Sequence, residues 1–218
     1  MYQIQIKNLT KIIKGKIILD HINCSLEAGK IYGMFGRNGS GKTMFLRVLS
    51  GLVFPTEGQI LYNNKILHQD MDFPDNIGII IENMELYPQF DAFTNLKLLA
   101  EINNRVDGKE IMASLERVGL EPDSKKRAGT FSLGMKQKLS IAQAIFEKPD
   151  VLLLDEPTNG LDEESVKRVR NILLEEKKRG CLILLASHNK EDIITLSDVL
   201  IEMKNGRITM KGVVSSNL

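Results

Sequence analysis

The segment Gly36-Arg37-Asn38-Gly39-Ser40-Gly41-Lys42-Thr43 stands between the apolar run Ile31-Tyr32-Gly33-Met34-Phe35 and an amphipathic stretch that begins near Met44. This is the order strand, glycine-rich loop, helix. Glycines at 36, 39 and 41 let the backbone turn tightly and aim successive N–H groups inward, and the positive end of the following helix adds to the attraction for an anion. Such a loop cradles phosphate. Lys42 is placed to reach the β- and γ-phosphates of a nucleotide, and the Thr43 hydroxyl to ligate Mg²⁺.

At 218 residues and 43% hydrophobic content, the chain suits one domain that carries an inserted subdomain. Its 29 basic and 28 acidic residues leave a net charge of +1, which gives no support for a nucleic-acid partner. Cys24 and Cys181 lie far apart in apolar stretches and read as core thiols of a reducing compartment. No apolar run approaches the roughly 20 residues that span a bilayer, and the alternating start Tyr2-Gln3-Ile4-Gln5-Ile6 reads as a strand, so a soluble chain is expected. The cluster Lys125-Lys126-Arg127 reads as an exposed loop.

Up to about Tyr62 the pattern is mostly strand, with short runs at Ile17-Ile18-Leu19, Ile22 to Leu26 and Ile60-Leu61-Tyr62. A further run, Ile77 to Ile81, precedes Glu82. Between about Thr94 and Glu147 the periodicity is helical: Leu96, Leu99 and Ile102 mark one helix, Ile111, Leu115 and Val118 a second, and Gly134 to Phe146 a third. Continuous apolar runs at Val151 to Leu154 and Leu182 to Leu185 predict parallel strands covered on both faces, alternating with helices at Glu163 to Arg179 and Lys190 to Leu196. Asn205-Gly206 predicts a closing hairpin. The expected fold is α/β, with a mainly parallel central sheet, a β-rich opening and a block of inserted helices. Ligands of such sheets sit at the carboxyl ends of the strands.

Those ends carry the chemistry. Asp155-Glu156 follows Leu154, and two acids at the mouth of a buried strand need a cation or dense hydrogen bonding to offset lost hydration. Asp155 suits Mg²⁺ through a water, and Glu156 suits polarisation of an attacking water as general base. His188 follows the strand ending at Leu185 and is placed to hydrogen-bond a γ-phosphate or orient that water. Phe131-Ser132-Leu133-Gly134-Met135-Lys136-Gln137 opens a helix that Ser132 is suited to cap.

Taken in order, these motifs resemble the ATPases of the ATP-binding cassette (ABC) family, and the resemblance spans essentially the whole chain. It implies a phosphate loop at 36–43, a glutamine-loop position at Glu82, a signature at 131–135, a D-loop at 159–162 and a switch histidine at His188. It implies a P-loop NTPase core at about 1–88 and 150–218, with an N-terminal antiparallel β subdomain, and a helical subdomain at about 89–149. It also implies ATP and Mg²⁺ as cofactors, with Thr43, Asp155 and Glu82 toward the metal and Glu156, His188 and Lys42 as the catalytic groups. Two copies are expected head to tail, each ATP lying between one phosphate loop and the partner copy's Ser132 and Gly134, with Asp162 acting across that interface. The resemblance further implies separate transmembrane permease subunits and a place on the cytoplasmic face of a bacterial cell membrane.

Three departures shape the expectation. Glu82 stands where glutamine is usual, Leu133 and Met135 replace a common glycine and glutamine, and no aromatic stands near Ile13 to stack on adenine. With Ile79-Ile80-Ile81-Glu82 and Leu86-Tyr87-Pro88, the signature substitutions look like the branch that exports peptide antibiotics such as bacitracin and lantibiotics. The aliphatic at Ile13 implies loose discrimination between ATP and GTP. The competing class is a soluble ABC ATPase acting on nucleic acid or ribosomes, against which stand the balanced charge, the lack of a coiled-coil insertion and the single cassette. A regulatory module that binds nucleotide without hydrolysis is disfavoured by Glu156 and His188.

Overall fold

The alternation that begins at Tyr2 grows into β1 (Gln3–Ile13), which turns through Lys14 and Gly15, both at positive φ, into β2 (Lys16–Glu27). The two apolar runs at 17–19 and 22–26 therefore belong to one strand. Asn8 and His21 adopt left-handed backbone where the register slips, so the ladder bends through irregularities without ending. The computed structural model describes residues 2–81, 86–188 and 190–213.

After β3 (Ile31–Phe35) and α1 (Lys42–Leu49), β4 (Glu57–Tyr62) and β5 (Lys65–Ile66) complete a four-stranded antiparallel sheet of order β2-β1-β4-β5. Asn63 and Asn64, both at positive φ, form its last turn. The chain then enters the second sheet at β6 (Ile77–Ile80) and leaves it for α2 (Ala92–Asn103), α3 (Gly108–Arg117), a short turn of 3₁₀ helix and α4 (Leu133–Ile145). It returns as β7 (Val151–Asp155), α5 (Glu163–Lys178), β8 (Leu182–Ala186), α6 (Lys190–Leu196), β9 (Val199–Lys204) and β10 (Arg207–Val213). The six strands lie in the order β10-β9-β3-β8-β7-β6, and all neighbours are parallel except the β9–β10 hairpin.

The buried runs explain why this sheet is central. Along β7, Val151 and Leu153 enter one hydrophobic cluster while Leu152 and Leu154 enter the other. Along β8, Leu182 and Leu184 take the first face, and Ile183 and Leu185 the second. Each strand thus feeds a core on both sides, as continuous apolar runs require. Helix α1 covers one face through Phe45, Leu46 and Leu49, all fully buried; burying a side chain of that size contributes about 1.5–3 kcal/mol. Helices α4, α5 and α6 cover the other.

The helices begin where the sequence supplies acceptors. Asp91 accepts from the Thr94 amide, and Asp107 forms a capping box with Glu110. Asn104, at φ 52, ends α2. One helical assignment shifts: Leu96 is buried and Leu99 packs at the core margin, but Ile102 is 73% exposed, because α2 turns that position outward just before its left-handed cap. Cys181 is buried and Cys24 partly so, and burial pushes both thiols up to about 12, consistent with inert packing residues. Among the described residues, no helix is long and apolar enough to cross a membrane.

Candidate functional site: a phosphate cradle at level strand ends

Strand register sets the site. Met34 of β3 and Asp155 of β7 both pair with Ala186 of β8, so three parallel strands end on one level and their loops emerge side by side. The phosphate loop follows the first, Glu156 the second, and Ser187 and His188 the third.

The loop is built to bring backbone close to its contents. Gly39 and Gly41 have φ of 76° and 112°, and a Cβ on Gly36 would lie 2.2 Å from the carbonyl oxygen of Met203. Lys42 is buried with its ammonium folded into the loop, donating to the Gly36 carbonyl at 2.9 Å and the Arg37 carbonyl at 3.4 Å. Residues 36–40 line one wall of a cleft of about 780 Å³, opposite Ser187, His188 and Ile193. Arg37 and Asn38 are exposed at its rim. The loop is braced from behind by the last hairpin: the Gly206 amide donates to the Ser40 carbonyl at 2.9 Å, and the Gly206 carbonyl accepts from the Asp20 amide at 2.9 Å. Asp20 in turn pairs with Arg207 at 2.7 Å.

Helix α1 returns across the sheet and delivers Thr43 to β7, where its hydroxyl donates to Asp155 Oδ2 at 2.5 Å. A hydroxyl beside a carboxylate oxygen is a hard oxygen pair of the kind Mg²⁺ accepts. Among the described residues no cluster of three His, Cys, Asp or Glu is present, so such an ion would draw its remaining ligands from phosphate and water, as Mg²⁺ commonly does. The Glu82 position lies outside the described residues.

Glu156 has φ 50, a left-handed conformation that costs a side-chain-bearing residue about 1–2 kcal/mol. Its amide donates to the Ala186 carbonyl at 2.8 Å, while the carboxylate receives the His188 amide at 2.8 Å on Oε1 and the Ser187 hydroxyl at 3.2 Å on Oε2. His188 Nδ1 lies 2.8 Å from the same Oε2. The strained backbone thus aims a carboxylate at the histidine after β8, and the pair directs the ring's other nitrogen, Nε2, elsewhere. Strain of this kind concentrates at working sites.

The signature-type turn lies apart. Ser132 caps α4 by accepting from the Met135 amide at 3.2 Å, and Leu133 is 65% exposed. Gly134 packs on the loop before α5, where an added Cβ would lie 3.2 Å from the Gly160 carbonyl. Asp162 caps α5 through the Ser165 amide, and that hydrogen bond holds its carboxyl below the usual range. None of Ser132, Gly134 and Asp162 lines the cleft at the phosphate loop. Ser187, Met203 and Gly206 support the site without having been singled out for it. Ser187 could have been found from its place at a strand end, whereas the brace at 203–206 has no local signal.

Fold and site can be set against known proteins. Residues 19–159 match the model of the ABC transporter family. The chain is 57% identical to an uncharacterized ABC transporter ATP-binding protein, YybJ, of Bacillus subtilis strain 168 over 94% of both chains. It is 40% identical to the bacitracin transport ATP-binding protein BcrA of Bacillus licheniformis, over 89% of this chain and 64% of that one. A solved structure of an ATP-binding subunit of an ABC transporter superposes with a TM-score of 0.88 at 25% identity, covering 96% of this chain and 89% of the other. The chain belongs to the ABC transporter family, among its ATP-binding, ATP-hydrolysing subunits. These relatives do not favour a soluble cassette acting on nucleic acid or ribosomes.

Proposed function

We propose that this subunit hydrolyses Mg²⁺-bound ATP at the level strand ends and passes the resulting closure to separate transmembrane subunits that export a peptide antibiotic or a similar amphipathic compound. The observation that carries the site is the convergence, on three strand ends, of Lys42, the Thr43–Asp155 pair and the Glu156–His188 pair. Residues 1–218 act as one nucleotide-binding domain, with the helical segment at about 89–149 as its subdomain.

In this scheme the loop amides of residues 36–41 and the Lys42 ammonium hold the phosphates, and Thr43 and Asp155 present oxygens to the metal, with Glu82 as a further candidate. When bound, Mg²⁺ would neutralise charge on the β- and γ-phosphates. Glu156 polarises the attacking water, and His188 contacts the γ-phosphate while holding the Glu156 carboxylate in place. The base rests on aliphatic contact with Ile13, which is 38% exposed beside the β1–β2 turn.

Ser132 is exposed at the start of α4, which supports a head-to-tail pair in which each turn completes the partner copy's ATP site and Asp162 acts across the seam. The relative named for bacitracin transport, and one named for lantibiotic transport in Streptococcus pyogenes, support the substrate class. The complex then sits at the cytoplasmic face of the bacterial cell membrane, two copies of this chain with two permease subunits.

The test is Glu156→Gln, which keeps shape and removes the base. Turnover should fall by about 10²–10⁴, the range for losing a positioned general base, while ATP binding persists. Loss of binding together with turnover in a folded protein would contradict the assigned role.

A further inference from the structure

On the reading above, Ser132 and Glu156 of one chain serve different ATP sites: the first completes the partner copy's site, and the second acts in its own. One side chain of the helix that Ser132 caps reaches the segment carrying Glu156. Gln137, on α4 beyond the Ser132 cap, is half-buried and extends its amide to the segment that follows β7. Its Nε2 lies 2.8 Å from the Pro157 carbonyl oxygen and 3.5 Å from that of Glu156. Only the NH₂ end of an amide can meet two carbonyl acceptors, so these partners fix its orientation.

The contact falls where the backbone most needs support. Glu156 carries a side chain at φ 50, a conformation that persists only when the surroundings hold the peptides on both sides. On the N-terminal side, β8 does this through the Ala186 carbonyl. On the C-terminal side the Asn159 amide closes a local turn onto the Glu156 carbonyl at 3.1 Å, and Gln137 is the tie from another helix. A shift or rotation of α4 therefore turns the 156–157 peptides, and with them the Cα–Cβ bond that aims the carboxylate at Ser187 and His188. The close approach of Gly134 to Gly160, where an added Cβ would lie 3.2 Å from the carbonyl, joins the start of α4 to the loop before α5 as well.

We propose that Gln137 is a positioning residue through which helix α4 sets the aim of Glu156, so that engagement of Ser132 at the partner copy's ATP is transmitted, within the same chain, to its own water-polarising carboxylate. The two sites are then coupled inside each chain as well as across the interface. The proposal rests on the assignment of Glu156 to the water.

The experiment compares Gln137→Leu and Gln137→Glu in the full chain, with ATP turnover, ATP affinity and melting temperature measured on each. Leu removes the donors and keeps much of the volume. Glu keeps the shape and turns a carboxylate toward two carbonyls, which raises its pKa. Both variants should bind ATP as the parent does and lose about tenfold or more in kcat, since small misplacements of a reacting group cost that much. The kcat of Gln137→Glu relative to the parent should rise as pH falls from about 8 to 6, when the carboxyl regains a proton to donate, while the Gln137→Leu ratio stays flat. Unchanged kcat in folded variants, a loss confined to KM, or equal pH ratios for both variants would overturn the proposal. Glu156→Gln, run alongside, separates the failures. If it retains turnover, the assignment of Glu156 falls and this inference with it; if it is inactive while Gln137→Leu turns over normally, only the role of Gln137 falls.

Discussion

On the function proposed above, the chain carries two phosphate-facing elements, and they are finished to different degrees. The loop at 36–43 is closed within the fold: its lysine is buried, its threonine is tied to Asp155, and its back is fastened to the last hairpin. The turn at 132–135 is anchored from behind, by the Ser132 cap, the packing of Gly134 on Gly160 and the contact of Met135 with the core, and leaves Ser132 and Leu133 exposed. A cradle has to be rigid before its ligand arrives, since reorganisation on binding lowers affinity. A lid has to remain accessible until the cradle of another copy is filled. One chain supplies both, so neither element alone describes its chemistry.

Ser132→Asp should break the contrast most sharply. Aspartate caps a helix as well as serine, so α4 stays folded, but a carboxylate replaces a hydroxyl opposite the partner copy's phosphates. ATP binding to a single chain should be unchanged and turnover should fall at least about tenfold, a change of roughly 1.4 kcal/mol. Equal turnover in a steady-state assay would remove Ser132 from the site. Gly78→Ala tests how firmly the lid helix sits on the sheet, because its Cβ would lie 1.9 Å from the Ala144 carbonyl on α4. Overpacking of this kind costs about 1–3 kcal/mol, and calorimetry should show the melting temperature lowered by several degrees.

The smallest expected effect concerns the loop beside the lid. Asp162 is held below the ordinary carboxylate range by the Ser165 amide, so the unfolded chain binds that proton more tightly than the folded one. Its contribution is complete above the ordinary pKa of about 3.9 and is lost as pH falls through the lowered value. Asp162→Asn keeps the cap without the charge. Melts should place the parent slightly above the variant at pH 7, with the difference vanishing once the pH has fallen below the lowered value. A constant difference across that range would show that the charge of Asp162 does not contribute.

What could be read from the residues follows the same division. The loop glycines, Asp155-Glu156 and His188 each stand immediately after an apolar run, and parallel register then places those positions on one level. Local pattern sufficed because the sheet converts position along a strand into position in space. The cap at Ser132 was legible for a similar reason, being a contact over three residues. The hydrogen bond from Gln137 to Pro157, the brace from Gly206 to Ser40 and the continuity of β2 past His21 depend on segments meeting from distant parts of the sequence. Ile102 fits the helical period yet faces outward, since period alone does not say where a helix stops needing a buried face.

The brace behind the phosphate loop also bears on synthesis. Ribosomes deliver the chain in order, and the Gly36–Thr43 segment emerges long before the hairpin turn at Asn205-Gly206 that supports it. A nascent chain holding only the first part of the sheet thus has the cradle without its backing, and Met203, whose carbonyl crowds Gly36, is still absent. The geometry of the phosphate loop is therefore completed only once the last hairpin has been made.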